Sequence, residues 1–189
     1  ITWNKVEEEY RSVDPSTTMT LSRTNANNVR LCIFLTRKGI PAYINTSSSS
    51  PVVPSLMGLA KFVCRKPRDF AVSIATHLER LGRDKPPHQI QFIQDQADCI
   101  NEVISDSSPS TWVALEAALK ALFKKPRGPA HMLSTIHRAK GLEAPNIYVL
   151  FPPIPHPLGL KDPIQAEQEK NLEYVARTRT SDTYTEIYP

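Results

Sequence analysis

The sequence predicts an α/β protein, a parallel sheet flanked by helices and interrupted by a small all-helical insertion. Three observations lead there. Short β-branched and apolar runs at residues 18–22, 40–44, 132–135 and 146–151 read as buried strands. A helical stripe joins the first run to the second. Residues 65–127 carry three helical stripes in succession and no strand pattern.

Taken in order, residues 1–15 place Trp3, Val6 and Tyr10 among acids and suit a short helix or a connector. After the 18–22 strand, Asn25 or Asn27 is positioned to cap a helix whose stripe is Val29, Ile33 and Thr36. Gly39 fits its stop, and residues 40–44 follow as a strand. Strand, helix, strand implies parallel pairing with a right-handed crossover. Residues 46–54 read as a polar loop and 55–64 as a short apolar helix.

The insertion's stripes are Phe70, Ile74, Leu78 and Leu81, then Ile90, Ile93, Ala97, Ile100 and Ile104, then Trp112, Leu115, Leu119 and Leu122. Ser110, or Thr111, caps the third. From His131 the chain reads strand, loop, short helix, strand, ending at Leu150. Residues 152–163 form a proline-rich loop, 164–175 a helix with Leu172 and Val175 inward, and 183–188 a final strand.

Composition bounds the function without fixing it. The chain has 189 residues, 40% of them hydrophobic, enough for a real core. No apolar run reaches the roughly 18 residues that a membrane span needs, so no membrane partner is expected. The chain begins at Ile1 without a methionine and no signal peptide is visible, which leaves a true N-terminus upstream open. Cys32, Cys64 and Cys99 lack metal-ligand spacing and suit a reducing compartment, so no metal site is expected. Net charge is +4. Residues 120–140 hold Lys120, Lys124, Lys125, Arg127, Arg138 and Lys140 and no carboxylate. Such a stretch either tracks a phosphate backbone or is a solvated basic face. Arg23, Thr135 and His137 all fall just after predicted strands, on the edge where open α/β sheets bind ligands.

Three segments, in this order, resemble motifs IV, V and VI of the UvrD-like superfamily 1 DNA helicases. Leu21-Ser-Arg-Thr-Asn-Ala-Asn27 resembles motif IV. Ser134-Thr-Ile-His-Arg-Ala-Lys-Gly-Leu-Glu143 resembles motif V, T-x-H-x-x-K-G-L-E. Gln168-Glu-Lys-Asn-Leu-Glu-Tyr-Val-Ala-Arg-Thr-Arg179 resembles motif VI. The resemblance implies a RecA-like, P-loop-NTPase-type second motor domain over 1–64 and 128–189, with 65–127 as a reduced form of the family's 2B insertion. It implies that Arg23 and Arg179 act as arginine fingers on the γ-phosphate of ATP held by the first motor domain. A guanidinium offers a permanently charged, bidentate donor fork to the charge that develops there. Glu143 would accept from the ribose hydroxyls, with Gly141 letting the backbone approach closely. Thr135, His137, Arg138 and Lys140 would hold single-stranded DNA by its phosphates. Tyr174 is expected in packing, and Glu169 matches an acidic position that orients the arginines.

ATP and Mg²⁺ would be held mainly by an N-terminal motor domain of the same polypeptide, because these residues contain no G-x-x-x-x-G-K-[ST] loop. The implied activity is ATP-driven, 3′→5′ translocation along single-stranded DNA in the cytoplasm, with a protein partner for the helical insertion a further expectation. Two other readings stand beside it. One is a non-catalytic, helicase-like binding module, favoured by Ser22, which occupies a position where the family usually has an aromatic residue. The other is a superfamily 1 helicase of opposite polarity, disfavoured by Lys140-Gly-Leu-Glu143.

Overall fold

The computed structural model describes residues 1–46, 52–150 and 163–188. It divides into two compact units, residues 1–45 with 125–189, and residues 46–124.

The first unit is built on a five-stranded, all-parallel sheet in the order β2-β3-β1-β4-β5. The strands are β1 (Thr18–Ser22), β2 (Ala42–Ile44), β3 (His131–Thr135), β4 (Ala144–Leu150) and β5 (Thr180–Ile187). Helices α1 (Val6–Ser12), α2 (Asn25–Arg37) and α7 (Pro163–Arg177) accompany it. β1 and β2 are parallel as expected but do not pair, because β3 lies between them. β1 is central and every one of its residues is buried, as befits a strand covered on both faces. Its three hydroxyls are each satisfied. Thr18 donates to the Asp14 carbonyl at 2.7 Å and Ser22 to the Thr24 carbonyl at 2.6 Å. Thr20 shares a 2.5 Å hydrogen bond with the Tyr10 hydroxyl.

The two faces of the sheet differ. Met19, Leu21, Ile147 and Val149 form an apolar face with Ile136, Ala139 and Ala176, and Leu172 and Val175 of α7 pack against it. The opposite face carries Thr20, His131 and Tyr148 beneath Tyr10 of α1, whose ring lies 4.9 Å from that of His131 and 5.4 Å from that of Tyr148. The Tyr148 hydroxyl donates to Glu9. α2 stops at Gly39's left-handed turn (φ 72°) as expected, but its cap and its stripe are shifted. The cap is Thr24, whose hydroxyl accepts from the Asn27 N–H at 3.4 Å. The buried residues are Asn28, Val29, Leu31, Cys32 and Leu35, while Thr36 is exposed.

His131 is 1% exposed. Its Nε2 lies 3.0 Å from the Tyr10 carbonyl, so Nε2 carries the proton, and Nδ1 is buried with no hydrogen-bond partner. Protonation would add a buried N–H with no acceptor. Burial therefore holds its pKa below the ordinary 6.5, although Asp14 opposes the shift. The unfolded chain binds this proton more readily than the folded one. The stabilisation is thus complete above about pH 6.5 and is lost as pH falls through the lowered folded value. Denaturant titrations should show stability falling below about pH 6.5, by at most ~1.4 kcal/mol per pH unit from this group. His131→Gln should lack that slope.

The second unit contains α3 (Val52–Val63), α4 (Phe70–Asp84), α5 (Pro87–Ser107) and α6 (Trp112–Phe123). Its described residues contain no strand. Its core is Leu56, Met57, Ala60, Phe70, Ile74, Ala97, Ile100, Leu115 and Leu119, with Cys99 and Val103 added to the expected α5 stripe and Ile104 only half-buried. Thr111, not Ser110, caps α6, its hydroxyl accepting from the Ala114 N–H at 3.2 Å.

The boundaries expected at 64/65 and 127/128 are displaced to 45/46 and 124/125. α3 was expected with the sheet. It packs instead on α4, α5 and α6, and the Gln96 amide of α5 donates to the Ser55 hydroxyl of α3 at 2.7 Å. Lys125 in turn places its ammonium 5.6 Å from the Tyr43 ring in the sheet unit. The 120–140 stretch is shared between the units, and its first cation, Lys120, is paired with Glu116 at 2.6 Å. No described helix is long and apolar enough to cross a membrane. The three cysteines are free, and the described residues contain no group of His, Cys, Asp or Glu arranged to hold a metal. The 152–162 part of the expected proline-rich loop lies outside the described residues.

Candidate functional site

At the carboxyl edge of the sheet, β1 ends at Ser22 and β3 at Thr135, directly opposite each other in register. The Ile136 N–H donates to the Ser22 carbonyl at 3.0 Å and extends the pairing by one residue. Arg23 follows Ser22 at once, so Arg23 and Thr135 leave neighbouring strands side by side. Arg23 is half-buried and Thr135 is buried. The sequence reading missed Asn28 here. It is fully buried one turn into α2, and neither amide atom has a hydrogen-bond partner. The signal was present, since Asn28 shares one stripe with Leu31, Cys32 and Leu35.

Residues 136–143 connect β3 to β4. Parallel strands usually need a crossover of a dozen or more residues containing a helix. Here the link makes turns instead of the expected short helix. The Arg138 and Ala139 N–H groups both donate to the Thr135 carbonyl at 3.0 Å, and Leu142 N–H donates to Ala139 at 2.9 Å. Ile136 and Ala139 turn into the apolar face of the sheet. His137 and Lys140 turn out to solvent. Arg138 lies between, with its Nη1 buried and without a hydrogen-bond partner. Gly141 has φ 87°, and nothing lies within 4 Å of where a Cβ would stand. The glycine answers a backbone requirement, since a side chain at this φ would be strained.

The crossover ends at the amino edge. Glu143 precedes β4 and Arg179 precedes β5, and the Ala144 N–H donates to the Arg179 carbonyl at 3.1 Å. Glu143 is exposed. Arg179 Nε donates to the Val175 carbonyl at 3.2 Å and Nη2 to the Thr178 hydroxyl at 3.3 Å. These contacts orient the guanidinium without neutralising it, because Arg179 forms no ion pair among the described residues. Arg177, two residues earlier, is committed. It pairs with Glu173 at 3.0 Å and Glu186 at 3.4 Å and lies 4.7 Å over the Tyr184 ring. The Glu173 carboxylate, first, holds its pKa above the usual arginine value. Tyr174, expected in packing, is 69% exposed, because α7 turns Leu172 and Val175 inward instead. The side chain of Glu169 lies outside the described residues.

The expected convergence of Arg23 and Arg179 is not found. All strands run the same way, Ser22 lies opposite Leu150 at one end of β4, and Thr180 lies opposite Ala144 at the other. At about 3.3 Å per residue, the two arginines leave the sheet at ends ~20 Å apart. The structure brings together Arg23 with Thr135, and Glu143 with Arg179. The 136–143 crossover carries His137, Arg138, Lys140 and Gly141 from the first pair to the second.

No protein-family model matches the chain, and no curated protein matches it.

Proposed function

We propose that this chain is the second motor lobe of an ATP-dependent, single-strand-translocating DNA helicase of the UvrD-like type, with a RecA-like sheet. The supporting observation is the separation of two polar edges joined by one eight-residue crossover. The carboxyl edge, with Arg23 and Thr135, and the crossover that leaves it, with His137, Arg138 and Lys140, offer hydroxyl, imidazole and cationic donors and suit strand phosphates. The amino edge offers a different pair. Glu143 accepts from ribose hydroxyls, and Arg179 gives its fork to phosphate oxygens. Arg179 alone is then the arginine finger, and Arg23 belongs to the strand track.

ATP and Mg²⁺ sit mainly on an N-terminal motor domain, which supplies the phosphate loop missing from these residues. Closure of that domain on the amino edge brings Arg179 to the nucleotide. Because Ile136 and Ala139 fix the crossover to the sheet, a shift at Glu143 is passed to Thr135 and His137. The motor is read as moving 3′→5′ by its motif V resemblance alone.

Two measurements test this. The purified 189 residues should show no DNA-stimulated ATP hydrolysis. In a chain carrying both motor domains, Arg23→Ala should raise the strand concentration for half-maximal stimulation about tenfold and reduce the salt dependence of strand binding by about one phosphate contact. If Arg23→Ala instead abolishes turnover at saturating strand, the division of labour fails. If the two-domain chain binds strand but never hydrolyses ATP, the non-catalytic binding module is the correct reading.

A further inference from the structure

The helical unit holds a cavity of about 250 Å³ lined by Phe62, Val63, Ser73, Thr76, His77 and Arg80. It lies where the end of α3 meets the outer side of α4. Phe62 is 72% exposed, which leaves most of its ring open to a ligand. Its ring meets that of His77 at 5.5 Å and 75°. The polar half of the lining is rich in donors. Arg80 Nη2 lies 3.1 Å from His77 Nδ1, and a guanidinium can only donate. His77 therefore accepts at Nδ1 and keeps its Nε2–H for another partner, while Arg80 has further N–H groups to give. Ser73 and Thr76 add hydroxyls, and none of the six lining residues is a carboxylate. The surroundings are basic too, with seven Lys or Arg against three Asp or Glu over residues 61–85. That excess equals the net charge of the whole chain.

An exposed aromatic ring beside clustered donors is complementary to a flat heterocycle carrying an anion. The volume falls below the roughly 300–1,000 Å³ of a drug-sized pocket and suits one base. The geometry points to this cavity as a binding site for one unpaired nucleotide of a single strand, its base against Phe62 and its phosphate on His77 and Arg80. The inference rests on the single-strand reading above and adds to it a contact outside the sheet. Stacking tolerates any base, so the site grips without reading sequence.

The experiment uses the whole chain and a single-stranded DNA oligonucleotide carrying 2-aminopurine, whose fluorescence falls when the base stacks. Binding should quench it. Phe62→Ala should remove the quenching and weaken binding about tenfold, and Phe62→Trp should restore both. Arg80→Ala should weaken binding and reduce its salt dependence by about one phosphate contact, with quenching retained in the bound fraction. Both side chains are exposed, so neither variant threatens the fold. Unchanged affinity and quenching in Phe62→Ala overturn the site. If Arg23→Ala weakens binding in that same assay, the motor reading survives the loss. A wild-type chain that binds no single strand overturns both. Phe62-dependent capture of a phosphotyrosine peptide without capture of the oligonucleotide overturns the nucleotide assignment.

Discussion

Arg179→Ala, in a chain that carries both motor domains, is expected to lower strand-stimulated ATP turnover by about 10³-fold or more at saturating strand and nucleotide. The charge that grows on the transferring phosphoryl group needs a fixed cation, and Arg179 is oriented by Val175 and Thr178 yet has no carboxylate partner among the described residues. Arg179→Lys should recover only part of the loss, because an ammonium keeps the charge but not the planar fork. Arg177→Ala is the internal control. It breaks pairs with Glu173 and Glu186 at the surface and should change turnover little. Steady-state hydrolysis checks all three. A fall of less than tenfold for Arg179→Ala, or an equal fall for Arg177→Ala, removes the finger from Arg179.

Ile136→Ala is expected to have the largest effect on stability among residues near the site. Ile136 is fully buried against Met19, Leu21, Ile147 and Val149, and truncation leaves a cavity in a sheet that cannot collapse around it. The cost should be ~2–5 kcal/mol, read as a lower urea midpoint. That is a large share of the ~5–15 kcal/mol that holds a typical domain together. Lys140→Ala, exposed on the same crossover, should leave the midpoint in place. Ile136→Ala should also weaken strand binding and lower turnover together, whereas Arg179→Ala lowers turnover alone. An unchanged midpoint for Ile136→Ala would mean that the crossover is not seated on the sheet.

Much of the fold was legible locally. β1 was bounded correctly because Thr18–Ser22 is a short β-branched run closed by polar residues, and Gly39 marked the end of α2 through its positive φ. The three helices α4, α5 and α6 followed from period alone. What was lost depends on partners distant in the chain. Nothing near Ser22 reveals that β3 rather than β2 pairs with β1. Nothing in α3 distinguishes a helix packed on the sheet from one packed on α5. The largest miss was the meeting of Arg23 and Arg179. Both lie beside strand ends, but one follows its strand and the other precedes it. In a parallel sheet that difference decides the edge. The placing of Glu143 and Arg179 at one edge was legible on the same logic, since each stands immediately before a strand.

The strand order has a consequence for how the protein is made. Its innermost strand, β1, leaves the ribosome before the helical unit, yet both its neighbours, β3 and β4, are encoded beyond that unit. While the middle of the chain emerges and its local contacts close, β1 has no strand to pair with. Such distant pairing is slow to form and leaves apolar residues such as Met19 and Leu21 open to wrong partners. Nascent chains halted before His131 should therefore engage chaperones through the segment that carries β1, and release should coincide with the arrival of β3 and β4.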